Sequence, residues 1–284
     1  MHKVYILLPV HNRIALTEGF MRDLSRQTYR NFHLVLIDDG SGDGTAEMVL
    51  GYVPDATILK GKGDWWWGGS LQQGVDWLRT REVPEDDIVL MINDDVAFKA
   101  DFLQNAVNCM KRFPNVQLLA RACTEPGFTV VERGVFADWR ALTFNKVYED
   151  SAVNCFSTRG LFMRAGPFLT VGGFRPVWLP HYLSDYEFSI RAGRKGYGFK
   201  TDDSVFLLMN EAATGYHASI SAGSLRLFLK RIFSKKAAMN PVYFTNFILL
   251  ACPLKYIPLN LLRVWRGFFV ALISNMQNTT GKTV

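Results

Sequence analysis

Val4-Tyr5-Ile6-Leu7-Leu8-Pro9-Val10-His11-Asn12-Arg13, His33-Leu34-Val35-Leu36-Ile37-Asp38-Asp39 and Asp87-Ile88-Val89-Leu90-Met91-Ile92-Asn93-Asp94-Asp95 share one pattern: an apolar run that stops at a polar cluster. The runs are nearly continuous, as expected of strands buried on both faces. Helical spacing fills the intervals. Thr17 to Ser25 places Phe20, Met21 and Leu24 on one side, with Thr17 as N-cap. Thr45 to Val53 reads as a second helix, and Thr57 to Leu59 as a short strand. Gly69 to Thr80 aligns Leu71, Val75 and Leu78; Ala100 to Phe113 is stopped by Pro114. Strands alternating with helices predict an α/β fold, a mostly parallel central sheet with helices on both faces. Ligands of such sheets bind beyond the carboxyl ends of the strands. The three polar clusters should therefore line one crevice.

Further along, Val116 to Ala122, Val153 to Arg159, Leu161 to Arg164 and Val205 to Leu208 read as strands, and Ser184 opens a helix to about Lys195. With 284 residues, 49% hydrophobic and 20% charged, the chain is globular and long enough for one large domain with an appendage. Four dispersed cysteines without a C-x-x-C pair predict reduced, buried thiols in a cytosolic protein. The first apolar run is too short for a signal peptide. The net charge of +6 is uneven: after Glu211 there is no acidic residue, while nine Lys and Arg follow. We expect a domain over residues 1–220, with a nucleotide-binding half (about 1–98) and an acceptor half (about 99–220). A basic, apolar helical tail over 221–284 should follow.

Asp94-Asp95 has no basic neighbour in sequence before Lys99, so the two carboxylates repel unless a cation stands between them. Mg²⁺ or Mn²⁺ takes such oxygens and keeps positions open for phosphate. Asp38-Asp39 can accept hydrogen bonds from a ribose hydroxyl or a pyrimidine N–H. The following Gly40-Ser41-Gly42-Asp43-Gly44 fails the dinucleotide fingerprint in position and spacing. In Trp65-Trp66-Trp67-Gly68-Gly69, Trp66 offers a stacking face and Gly69 a close backbone approach to phosphate.

Leu7-Leu8-Pro9-Val10-His11-Asn12-Arg13, Gln27-Thr28-Tyr29-Arg30-Asn31-Phe32 and Ile37-Asp38-Asp39-Gly40-Ser41-Gly42-Asp43-Gly44-Thr45 resemble the opening of family 2 glycosyltransferases. Asn93-Asp94-Asp95-Val96 resembles that family's metal motif, Gly172-Gly173-Phe174 its Gly-Gly-Phe, and Ser184-Asp185-Tyr186-Glu187 its acidic acceptor-side motif. The resemblance spans about residues 3–220. It implies a GT-A fold, a nucleotide-diphosphate sugar donor (uridine or thymidine, carrying a hexosyl or rhamnosyl group) and inversion at the anomeric carbon. By the same resemblance Pro9, Val10, Arg13, Asp38, Asp39, Trp66, Gly69 and Asp94 would bind the donor. Asp95 and His217 would hold Mn²⁺ or Mg²⁺, and Asp185 would be the base. The chain departs from the family where an Arg or Asn is common; Leu71, Gln72 and Gln73 stand there.

Physical reasoning agrees for Asp185, since inverting transfer needs one base. Ser184-x-x-Glu187 reads as a capping box, and the helix dipole should keep Asp185 ionised at neutral pH. In the tail, Pro253, Lys255 and Pro258 interrupt the apolar runs, so a spanning helix is not expected. Basic amphipathic helices lying on an anionic leaflet fit better, with a homo-oligomer interface as the competing use. The mixture of basic charge with Leu, Phe and Trp argues against nucleic acid. The expected setting is surface polysaccharide assembly on a glycan or lipid-linked acceptor, at the cytoplasmic face of the membrane. The rival from another class is a catalytically silent nucleotide- or glycan-binding module.

Overall fold

Residues 2–124, 129–148, 152–209 and 224–280 are described by a computed structural model. The first run becomes β1 (Val4–Val10), followed by α1 (Ile14–Ser25), β2 (Phe32–Asp38), α2 (Thr45–Tyr52), β3 (Thr57–Lys60), α3 (Trp66–Arg79) and β4 (Ile88–Met91). β5 (Val96–Ala97), α4 (Phe102–Arg112), β6 (Val116–Thr124), β7 (Thr129–Glu132), β8 (Val135–Asp138) and β9 (Thr143–Lys146) come next. β10 (Leu161–Arg164), α5 (Ala165–Val171), α6 (Ser184–Arg194) and β11 (Gly198–Met209) complete the body; α7 (Leu225–Ile232), α8 (Pro241–Ala251) and α9 (Ile257–Thr280) form the tail.

The main sheet runs β3-β2-β1-β4-β10-β6-β11-β5, with β7 added on β6. It is parallel from β3 to β4, in register Leu7↔Val35 and Leu7↔Met91. Past β4 the sheet is mixed, because β10 pairs antiparallel with both β4 and β6. The apolar runs are continuous because both faces are covered. Ile6, Leu8, Leu34, Leu36 and Leu90 pack into one core with Phe20, Phe102 and Met110, while Leu7, Val35, Ile37, Val89 and Met91 pack into another with Leu71, Val75 and Phe188. Alternate residues of one strand thus serve opposite cores. All four cysteines are free and buried.

Three local expectations change. Thr17 is not a cap: α1 begins at Ile14, and the buried Thr17 hydroxyl donates to Asp94 Oδ2 at 2.8 Å. Val153 to Arg159 is not a strand. It makes one bridge, Val135↔Cys155, and the Asn154 amide side chain takes over the pairing with Ala137. Ser184 does not cap α6 either. Leu183 is the N-cap, in a left-handed conformation (φ 66°), and the Ser184 hydroxyl donates backwards to the His181 carbonyl at 2.7 Å.

The tail packs on the body. Phe247 and Ala251 of α8 join Val135, Leu179 and Ile190 in a third core, and Asn240 caps α8 through Val242 N–H at 3.0 Å. Pro258 opens α9 and does not interrupt it, since proline is tolerated in a helix's first turn. Residues Leu254–Gln277 are therefore long and apolar enough to cross a membrane, against the sequence expectation. Length and composition alone support that description. Asn260 Nδ2 donates to the Trp139 carbonyl at 2.9 Å and Arg263 to the Arg140 carbonyl at 2.5 Å, which ties the first turns of α9 to the β8–β9 hairpin.

Candidate functional site

The ends of β1, β2 and β4 converge as the strand pattern requires. Arg13, just beyond β1, reaches the pair after β4: its guanidinium lies 3.1 Å from Asp94 Oδ1 and 3.3 Å from Asp95 Oδ2. Part of the positive charge that the pair demands thus comes from a residue distant in sequence and near in space. Asp94 is buried, and its pKa is raised by that burial against the opposing pull of Arg13 and Thr17. Asp95 keeps Oδ1 buried and without a hydrogen-bond partner. An orphaned anionic oxygen beside a second carboxylate fits a hard divalent cation. Among the described residues no group of three His, Cys, Asp or Glu could hold a metal by itself. His217 lies outside the described residues.

Asp38 and Asp39 are both buried. Asp38 Oδ1 accepts the Ser41 amide at 2.8 Å, and Asp38 is not on the wall of the adjoining pocket. Asp39 accepts three amides, from Gly63 at 2.9 Å and from Trp65 and Trp66 at 3.0 Å each. Its carboxylate thereby fixes the entry to α3 and holds Trp66 at φ 59°, a conformation that costs a non-glycine residue about 1 kcal/mol or more. Asn12 (φ 50°), just after β1, and Leu183 (φ 66°), just before α6, are left-handed too.

A pocket of about 220 Å³ lies here, lined by Pro9, Val10, Arg13, Asp39, Trp66, Trp67 and Ser70, together with His11, His181 and Lys236. Gly69 is buried one residue behind, against Trp65 and Pro176, and does not line it. Gly68 is the glycine the site needs. A Cβ there would stand 2.7 Å from the Leu179 carbonyl oxygen, and its amide donates to Pro180 O at 2.9 Å. This approach brings His181 edge-on to Trp66, with ring centroids 5.7 Å apart. Gln72 belongs to the scaffold: its Oε1 accepts the Phe174 amide at 2.6 Å.

Trp67 also walls a second pocket, of about 210 Å³, whose other walls include Asn93, Glu132, Thr158, Arg159, Asp185 and Tyr186. Its indole N–H donates to Thr158 Oγ1 at 2.9 Å. Asp185 faces this pocket from the first turn of α6, with its pKa pushed up to about 6 by burial, against the Tyr186 amide that it accepts. Burial also raises Glu132, opposed by Arg159 and Lys146. Glu132 and Arg159 were not singled out from sequence. The only signal was Thr129-Val130-Val131-Glu132, an acidic residue ending a β-branched run. The orientation of α6 is set by Glu187, which pairs with Arg191 at 2.8 Å while Arg191 donates to the Val171 and Gly173 carbonyls. Gly172 and Gly173 (φ 100° and 79°) turn those carbonyls toward it. A larger cleft, of about 850 Å³, opens between α1 and the ends of β5 and β11, and also touches Asp94 and Asp95.

The sequence matches the family model described as Glycosyl transferase family 2 over residues 5–165. No curated protein matches it. Among solved structures, a mannosyltransferase from Pyrobaculum calidifontis, in complex with GDP-Man and Mn²⁺, aligns over 98% of this chain and 79% of its own, at 19% identity and a TM-score of 0.57. S. aureus TarS aligns over 90% of this chain at 18% identity and a TM-score of 0.57; the chain spans half of its length. GalNAc-T7, with UDP, GalNAc and Mn²⁺, aligns over 89% of this chain and 52% of its own, at 12% identity and a TM-score of 0.61. The fold is that of GT-A glycosyltransferases.

Proposed function

This chain belongs to glycosyltransferase family 2, and from that membership we propose that it moves a sugar, with inversion, from a nucleotide-diphosphate donor to an acceptor hydroxyl. One observation carries the reading: Trp67 is a shared wall between a pocket at the strand ends and a pocket containing Asp185. A donor in the first would present its anomeric carbon toward an acceptor in the second.

The chain's residues then divide the work. Pro9, Val10, Trp66 and the Asp39-held loop shape the donor pocket, with Asp38 supporting the turn beside it. Asp185 accepts the acceptor proton while the hydroxyl oxygen bonds to the anomeric carbon. The bond from that carbon to the diphosphate oxygen breaks, and the nucleoside diphosphate leaves. A carboxylate titrating near 6 is ionised at neutral pH and basic enough to take that proton. Asp95, with its free buried oxygen, suits Mn²⁺ or Mg²⁺, and His217 would be the second ligand, while Asp94, held by Arg13 and Thr17, would contact the donor. When bound, such an ion neutralises the diphosphate as it departs.

We assign the donor to uridine- or thymidine-diphosphate sugars and the acceptor to a glycan or lipid-linked oligosaccharide, in surface polysaccharide synthesis at the cytoplasmic face of the membrane. Leu259, Leu262, Phe269, Ile273 and Met276 form an exposed apolar stripe on α9, in a tail with no acidic residue. That combination supports peripheral contact with an anionic leaflet. The test is incubation with a panel of nucleotide sugars and Mn²⁺. At least one uridine or thymidine donor should be turned over, by slow hydrolysis without acceptor. Tight nucleotide binding without turnover of any donor would favour a silent binding module instead.

A further inference from the structure

We propose that Lys236 of the tail, His181 of the loop before α6 and the face of Trp66 form a site for the diphosphate group of the nucleotide donor. The inference rests on the donor reading above and deepens it. Lys236 lies between α7 and α8, far outside the 5–165 stretch that carries the family match. Its ammonium nevertheless stands 5.4 Å from the Trp66 ring centroid and lines the pocket at the strand ends. It makes no ion pair among the described residues, so its charge is not spent on a structural carboxylate.

The charge balance of the pocket points the same way. Asp39 is the one acidic residue on the described lining, and its two oxygens already accept three amides. Lys236 and two histidines face the same space, as does Arg13, whose guanidinium is already paired with Asp94 and Asp95. His181 Nδ1 is buried and has no hydrogen-bond partner. Burial and the nearby Lys236 lower its pKa, so the ring is neutral there and can offer one N–H to an anion. An ammonium and an unpaired ring nitrogen beside an aromatic wall suit a polyanion, since hydrogen bonds to charged groups are the strong ones. A neutral base or sugar would offer this ammonium no charged partner, whereas a diphosphate would.

Calorimetry on the full chain tests this, using uridine and thymidine diphosphates and the matching monophosphates, with and without Mn²⁺. Lys236→Gln should weaken diphosphate binding about tenfold or more, while monophosphate affinity stays within about twofold. Lys236→Arg should restore most of the loss, and the exposed neighbour Lys235→Gln should change neither. Flotation on phosphatidylglycerol vesicles should be the same for Lys236→Gln as for wild type. Equal weakening of mono- and diphosphate would put Lys236 on the nucleoside and overturn the proposal. Unchanged diphosphate affinity with reduced flotation would assign Lys236 to lipid phosphate and also overturn it. A wild-type chain that binds no nucleoside diphosphate would instead remove the donor reading, and this inference with it.

Discussion

Asp185 meets two opposing influences at the start of α6. The helix dipole favours its charge, as sequence reasoning anticipates, but burial prevails and lifts its pKa to about 6. Turnover should therefore rise with pH through about 6 and level off above 7, and a pH–rate profile flat from 5 to 8 would argue against Asp185 as the base. The same shift has a stability consequence with a definite sign. Its ordinary value is 3.8, so ionising this carboxylate costs folding free energy as pH rises through about 6. Asp185→Asn should raise Tm at pH 7 to 8 and lose that advantage below about pH 4, measured by thermal melts across pH. Arg13 poses a similar question for the metal pair. Its guanidinium is one-third exposed and touches both Asp94 and Asp95. Arg13→Ala should destabilise the chain in chelator by on the order of 2 kcal/mol, and Mn²⁺ should recover more stability in the variant than in wild type. An equal Tm loss with and without Mn²⁺ would mean that Arg13 is not acting as the counter-ion of the pair.

At the level of elements, α3 depends on a contact that no periodicity reveals. A Cβ at Gly68 meets the Leu179 carbonyl at 2.7 Å, a backbone atom that cannot swing away. Gly68→Ala should cost about 1–3 kcal/mol and displace His181 from Trp66, weakening nucleotide binding. Gly69→Ala should be milder, because its nearest contact is the Trp65 Cβ at 3.3 Å; reversed sizes in chemical denaturation would contradict this packing. The contrast marks where sequence reasoning reached. β1, β2, β4 and the helices between them were legible because long runs such as Leu34 to Ile37 and the Leu71, Val75, Leu78 face state their burial directly. Glu132 was not, since β7, β8 and β9 are four-residue strands with half-exposed faces and little pattern to read. Capping residues misled for a related reason. Thr17 and Ser184 have the right chemistry for a helix start, but their hydroxyls are taken by Asp94 and by the His181 carbonyl, partners that only the fold supplies.

Across the whole molecule the tail is a structural part of the site as well as a surface. Sequence reasoning sets it apart from the domain as an appendage, yet Lys236 lines the donor pocket and Phe247 lies in the core behind α6. Truncation at Ser224 should therefore lower both stability and nucleotide affinity. Replacing Leu262, Phe269 and Ile273 of the exposed α9 stripe with serine should instead release the chain from anionic vesicles while nucleotide affinity holds. Flotation and calorimetry on the same triple variant separate the two effects. Unchanged flotation with a shift from oligomer to monomer would identify the stripe as a subunit interface. The account as a whole asks a donor bound at the strand ends to react with an acceptor activated by Asp185 across Trp67. The most direct test compares wild type with Asp185→Asn for sugar transfer in Mn²⁺ and, in parallel, for nucleoside-diphosphate affinity. Turnover should fall about a hundredfold or more with affinity nearly unchanged. Near-normal turnover in Asp185→Asn would contradict the account.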